Sequence, residues 1–399
     1  MIAFRLGRRG IDLFNPKTIL LILWLFLLVF PKGGFKIGAL PLTWGYFFLT
    51  LFSIFSIFRS RFVCHRRRIE AFLLTLPFQA VCMFSFLVYG IDYLNFILSL
   101  ILSFFFFPCF FFILFSEYIE SMNSKMLFEL LRKGVFFVAA YGIFLFFFKL
   151  ITGKFIEIPF LTVNFHDFGA IDLKHIHRGT VFKLISTYNN GNIYGICILM
   201  LLPLYLLLEH NSWKKAAVIF SLILSLSRTV WIGLLFSQCI TALLGNKKPE
   251  YLKLLTGSLV AILVILIITY SCGFNIHFLF DQNLGGRTEQ LQTVHSISIF
   301  PDRPFYGFGD IVYLSVLSNF GITGLFTYLI CLSGPIFLTL AHQPISLPHK
   351  RILCGLVNFL FISMSDGALL YIPVLAFYWF LSALALRRSL EPISLNSSF

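Results

Sequence analysis

The run Ala216-Ala-Val-Ile-Phe-Ser-Leu-Ile-Leu-Ser-Leu-Ser-Arg228-Thr-Val-Trp-Ile-Gly-Leu-Leu-Phe-Ser-Gln-Cys-Ile-Thr-Ala-Leu-Leu244 carries one charge in 29 residues. At about 1.5 Å per residue it is too long for one bilayer crossing, which takes about 20 apolar residues, and short for two full ones. The sequence therefore predicts two short spans meeting at a break, with Arg228 at the break. A charge at such a position is costly and by default marks a functional site facing a cavity. The simpler alternative is that Arg228 snorkels to the interface as the polar tip of a tight turn.

The whole chain has the same character. Of 399 residues, 58% are hydrophobic and 12% charged, with 52 Phe. A soluble domain carries about 25% charged residues and about 45–50% apolar ones, so a soluble enzyme is excluded. A disordered chain fails on hydrophobicity, and eight Cys in a chain of this length is ordinary usage rather than a disulfide scaffold.

Twelve apolar stretches are candidate spans, near 17–30, 37–58, 70–88, 91–116, 134–151, 191–208, 216–227, 229–244, 254–272, 311–340, 352–365 and 367–386. The first resembles a signal-peptide core, but Phe30-Pro31-Lys32-Gly33-Gly34 offers no small-residue cleavage site, and it reads as a retained first helix. The net charge of +14 would suggest nucleic acid in a soluble protein. With the N-terminus inside, however, 21 of the 31 Lys and Arg fall on cytoplasmic segments, the bias expected of a polytopic membrane protein, and no nucleic-acid partner is needed. The expected fold is all-α: one membrane domain over 1–399, about twelve transmembrane helices, both termini cytoplasmic, the lipid bilayer as solvent. Two long loops, 152–190 and 273–310, fall on the outer face. Loops of this length in a compact protein are usually functional or disordered.

Signatures of soluble enzymes are absent: no P-loop, Cys-x-x-Cys, His-Glu-x-x-His or Gly-x-Ser-x-Gly occurs. In the second loop, Leu291, Val294 and Ile297 or Ser298 recur at helical spacing between Gly286 and Pro301, which puts Arg287 in the first turn of a short amphipathic helix. Arg287 and Arg303 suit bidentate binding of phosphate, or are simply solvated. In the first loop, His175 and His177 are two apart, which does not fit a zinc helix. Arg178 and the segment Asn189-Asn190-Gly191-Asn192 offer polar ligand contacts, sugar hydroxyls included. Equally, the Asn residues can cap the helix that follows, beginning near Ile193.

Three elements, in order, resemble the O-antigen polymerase and O-antigen ligase superfamily of bacterial membrane glycosyltransferases. They are Tyr188-Asn-Asn-Gly-Asn-Ile-Tyr-Gly195 with Pro203, the break Ser225-Leu-Ser-Arg-Thr229, and the stretch from Gly286-Arg-Thr-Glu-Gln-Leu291 through Pro304-Phe-Tyr-Gly-Phe-Gly309 to Tyr313-Leu-Ser-Val-Leu-Ser-Asn-Phe-Gly-Ile-Thr-Gly324. The resemblance covers roughly residues 178–330 and implies that Arg228 and Arg287 engage a lipid-linked pyrophosphate. Ligases of this family carry a His-Asn pair where this chain reads Gly309-Asp310-Ile311, a departure that favours a polymerase.

The function expected is polymerisation of polyprenyl-pyrophosphate-linked oligosaccharide repeats into O-antigen or a related surface or capsular polysaccharide. It would take place at the outer face of the bacterial inner membrane, alongside a flippase and a chain-length regulator of the same pathway. Ligation to a lipid or protein acceptor and flipping of the lipid-linked sugar are the alternatives. Arg228 and Arg287, with Arg178 or Arg303, would stabilise the leaving group. Asp310 is the first choice of base, or else the N-cap of a helix starting at Ile311, with His295 and Glu289 as alternates. Nothing in the sequence demands a metal or cofactor, since Arg can replace the divalent cation. The Phe-rich fourth span, Phe104 to Phe112, is one candidate wall for a polyprenyl groove.

Overall fold

A computed structural model describes residues 15–37, 40–59, 65–91, 94–171, 177–178, 181–244, 248–271, 287–292, 297–341, 345–366 and 372–390. The fold is mostly helical. In chain order the elements are α1 (Pro16–Leu28), β1 (Gly34–Ile37), β2 (Leu40–Thr43), α2 (Trp44–Arg59), α3 (Arg66–Leu73), α4 (Leu76–Tyr89), α5 (Leu94–Ile101), α6 (Ser116–Ser121) and α7 (Ser124–Thr152). The second half contains β3 (His177–Arg178), β4 (Val181–Phe182), α8 (Gly191–Leu208), α9 (Ser212–Ile223), α10 (Arg228–Leu244), α11 (Lys248–Ser271), α12 (Arg287–Gln292), α13 (Val312–Ala341), α14 (Leu347–Ile362) and α15 (Ile372–Ala385). Among the described residues, four helical stretches are long and apolar enough to cross a membrane: Arg66–Tyr89, Ser124–Thr152, Gly191–Leu208 and Val312–Ala341. Helix occurs in every one of the twelve apolar stretches, although several pieces are short. The middle of α11 exposes large apolar residues, among them Val260, Leu263, Ile267 and Ile268, as suits a lipid-facing surface.

Three local departures from the expected helices have physical causes. The stretch from residue 37 does not open as helix, because Gly34–Ile37 pairs antiparallel with Leu40–Thr43. Gly34, at φ 137°, lets that pair close, since a Cβ there would come within 2.2 Å of Leu42 O. In the fourth span the ladder loosens into π-helical turns at Leu102–Phe106 and Cys109–Leu114, on either side of Pro108, which has no N–H to donate. Its Phe104, Phe107, Phe111 and Phe112 are buried in the core, packed on Trp379 and Phe380 of α15 and on each other, while Phe106 is exposed and Phe105 and Phe110 are half-buried. Finally, α13 is broken at Gly321 (φ 69°), where Ile322 and Thr323 donate to Ser298 and Ile299 carbonyls instead of to their own helix.

Helix α8 is the most deeply buried of the four long apolar helices, with 89% of its residues buried. Pro203 sits inside it and cannot donate to Leu199 O. Asn358 of α14 supplies the missing donor, its Nδ2 lying 3.3 Å from Leu199 O. Close approach of α8, α10 and α14 depends on glycine. A Cβ on Gly355 would lie 1.9 Å from Met200 O, one on Gly195 would lie 2.3 Å from Val230, and one on Gly233 would lie 2.7 Å from Ile362. Small residues at helix contacts are the usual means of close packing where lipid gives no hydrophobic drive. The result is three helices gripped together, with the starts of α8 and α10 beside the end of α14.

Candidate functional site

The first contributor is the break after α9. Ser225 Oγ and Leu226 N–H donate to carbonyls of the last turn, Leu222 O and Ile223 O, which stops the helix. Leu226 then takes a left-handed backbone (φ 48°), uncommon for a bulky residue, and is held there by burial. The Trp231 indole donates to Ile223 O at 2.9 Å, and Trp231 N–H closes the first turn of α10 on Ser227 O. Arg228 is thus the first residue of α10, partly exposed, as the break in the sequence predicted.

The second is the start of α8. Asn190 is its N-cap, with Oδ1 accepting from the backbone of Asn192 and Ile193 at 2.9 and 3.2 Å. Its side-chain oxygen is committed to orphan helix donors rather than turned to a ligand. Asn189, left-handed at φ 53°, donates its amide to Thr162 O at 2.9 Å and so ties the first long loop to the helix start. Asn192, the second helical residue, is the one whose side chain reaches the cluster. The helix starts at Gly191, two residues earlier than expected.

The third contributor was not foreseen. After α14 the chain turns through Ser363 and Ser365, and Asp366 N–H closes on Ile362 O at 3.0 Å. Ser365 Oγ meets Thr229 Oγ1 of α10 at 3.2 Å. Asp366, 5% exposed, accepts from Asn192 Nδ2 at 2.6 Å and from Arg287 Nη2 at 3.4 Å, both on Oδ2. Arg287 is the first residue of α12, and its side chain is 14% exposed; of the residues that carried the expected spacing, Leu291 lies in the helix, Val294 is outside the described residues, and Ile297 and Ser298 are not helical. Lys183, also buried, donates to Asn192 Oδ1 at 3.4 Å. The signal available in the sequence was an acidic residue in Ser365-Asp366-Gly367, between two apolar stretches.

Burial raises the Asp366 carboxyl, and the negative charge of Asp310 raises it further; Arg287, Asn192 and Lys183 pull it down, and the outcome is about 6 against an ordinary 3.8. A carboxylate so tuned is mostly ionised at neutral pH yet basic enough to take a proton. Asp310 itself is exposed, and α13 begins one residue later than expected, at Val312, so Asp310 precedes the cap position instead of occupying it. Its loop is nevertheless fixed. Asn319 of α13 donates to Gly307 O at 2.8 Å and accepts from Tyr306 N–H at 3.2 Å, while Ser315 Oγ accepts from Gly309 N–H at 2.9 Å.

The remaining sequence candidates are less central. Arg303 pairs with its neighbour Asp302 at 3.0 Å, both partly exposed. Arg178 lies in the β3–β4 ribbon, opposite Val181, with its side chain outside the described residues. His295 and the side chain of Glu289 also lie outside them.

The cluster therefore brings together Arg287, Asn192, Lys183 and Asp366, with Arg228 opening the neighbouring helix and Asp310 close enough to act electrostatically. Such a site can hold an anion between guanidinium groups and helix starts and can move one proton through a carboxylate. Comparison with protein-family models, curated proteins and solved structures finds no match for this chain.

Proposed function

We propose that the chain is a glycosyltransferase of the bacterial inner membrane that joins polyprenyl-pyrophosphate-linked oligosaccharide repeats into a surface polysaccharide. In this reading it crosses the bilayer about twelve times, with both termini cytoplasmic and the cluster at the outer face. The observation that carries the reading is the buried Arg287–Asp366 pair, a cation and a titratable carboxylate side by side where α8 and α10 begin.

The reaction joins a sugar hydroxyl of one repeat to the anomeric carbon of another. The new C–O bond forms as the bond to the pyrophosphate oxygen breaks, and polyprenyl pyrophosphate leaves with the electron pair. Arg287 and Arg228 stabilise the developing charge, helped by the positive ends of α8 and α10. Asp366 takes the hydroxyl proton in place of Asp310, the first choice from the sequence, because its carboxyl is buried and raised to about 6 whereas Asp310 is exposed. Arg287 can exchange its carboxylate partner for phosphate as substrate binds, which releases the base when the donor is in place.

The test is the glycolipid profile of a deletion strain complemented with variants. Accumulation of lipid carrying one repeat, unrelieved by Arg287→Ala or Asp366→Asn, supports the polymerase. Accumulation of polymerised but unattached glycan would point to the ligase instead.

A further inference from the structure

Asp366 is held by more than its ion pair. Lys183 lies in the segment that leads into α8 and is 7% exposed. Lys is almost never buried unless paired, so packing alone does not account for it. Its segment is fixed from two sides. Leu184 N–H donates to Leu224 O at the α9–α10 break at 3.0 Å, and Gly191 allows close contact, since a Cβ there would lie 2.8 Å from Leu184 O and 3.0 Å from Lys183 Cβ.

The contacts around Asn192 have a direction. The Lys183 ammonium donates to Oδ1 at 3.4 Å, and Nδ2 donates to Asp366 Oδ2 at 2.6 Å. An ammonium has only donors and an ionised carboxylate only acceptors. Lys183 can therefore face only the oxygen of the amide, and Asp366 only its nitrogen. Each neighbour enforces the amide orientation that the other requires. Arg287 also reaches Oδ2, while Oδ1 accepts no hydrogen bond from any described residue.

We propose that Lys183 is a positioning residue for Asp366: acting through the Asn192 amide, it pins Oδ2 and leaves Oδ1 to receive the proton of the attacking hydroxyl. What the carboxylate does rests on the glycosyl-transfer reading; that it is held in this way does not. Among the described residues, the other charged groups acting on Asp366 are Arg287 from α12 and Asp310 from the loop before α13; Arg228 opens α10, whose next residue, Thr229, meets Ser365.

The experiment is an infrared difference titration of full-length protein in lipid nanodiscs, without substrate, following the protonated-carboxyl band that Asp366→Asn abolishes. Lys183→Met should raise the Asp366 midpoint by about one pH unit, a tenfold change in proton affinity. Lys183→Arg, which keeps a charged donor, should return it near the wild-type value. Asn192→Leu should raise it too, and adding Lys183→Met to that variant should shift it little further, as expected of residues acting in one chain of contacts. An unmoved midpoint in Lys183→Met, or full additivity in the double variant, would overturn the relay. Should Lys183→Met not fold, Asn192→Leu and Lys183→Arg decide, the relay requiring a rise in the first and none in the second. Elongation measured on the same samples is a separate readout. A relay that titrates as expected in a wild type unable to elongate repeats would sink the glycosyltransferase reading alone.

Discussion

Asn192 and Asp366 lie 174 residues apart in sequence and meet at 2.6 Å, one at the start of α8 and the other just past the end of α14. That contact joins the helix start bearing the Asn-rich turn to a buried carboxylate, and the chemistry expected of the site depends on it.

Arg287→Ala removes both the partner of Asp366 and a guanidinium for pyrophosphate. Removing one preorganised donor of this kind costs on the order of 100- to 1,000-fold in rate. Single-repeat glycolipid should accumulate while protein level is unchanged, and Arg228→Ala should behave alike. Normal polymer ladders from either variant, seen on gels of surface glycan, would remove the pyrophosphate role.

Elongation should depend on pH through Asp366. The base must be unprotonated, so the rate is full above about 6 and falls as pH drops through that value, by up to about tenfold per pH unit. Asp310 raises the carboxyl, so Asp310→Asn should move the acid limb to lower pH and leave the neutral rate nearly intact. A rate–pH profile in purified protein checks this. Loss of all activity in Asp310→Asn would instead make Asp310 the base.

The bond from Asn358 to the carbonyl freed by Pro203 predicts a coupled pair. Asn358→Leu leaves Leu199 O without its donor and should cost about 1–3 kcal/mol. Pro203→Ala restores an N–H within α8, so the double variant should recover much of that loss. Thermal midpoints of the two single variants and the double variant measure the coupling; simple addition of the two effects would contradict it.

Gly355→Ala places a methyl 1.9 Å from Met200 O, against backbone that no rotamer change can move. Separation of α8 from α14 should cost about 1–3 kcal/mol and lengthen the Asn192–Asp366 contact. The expected result is a lower melting point together with a loss of elongation greater than the loss of folded protein. Gly257→Ala, with open space around its Cβ position, is the matched control and should lower neither.

Much of the frame could be read locally. Apolar stretches gave the helices, the Ser225–Thr229 interruption gave the break, and the spacing after Gly286 put Arg287 at a helix start, because composition and periodicity over ten to twenty residues are enough for each. The alternation of spans also assigned the 152–190 and 273–310 loops to one expected face. Which Asn caps and which contacts a carboxylate could not be read, since Asn189, Asn190 and Asn192 are chemically alike and differ only in where the turn points them. The composition of the Phe-rich fourth span says apolar without saying which rings face the core; α15 decides that for Phe104, Phe111 and Phe112.

The sequence by itself determined that this chain is a bundle of apolar helices with rare charges at their ends, since the cost of unpaired backbone and buried charge acts on every short segment independently. Only the tertiary structure decided that Lys183, Asn192, Arg287 and Asp366 form one group. Their meeting depends on glycines that let α8, α10 and α14 approach, and on contacts between segments far apart in the chain, where no local pattern carries the information.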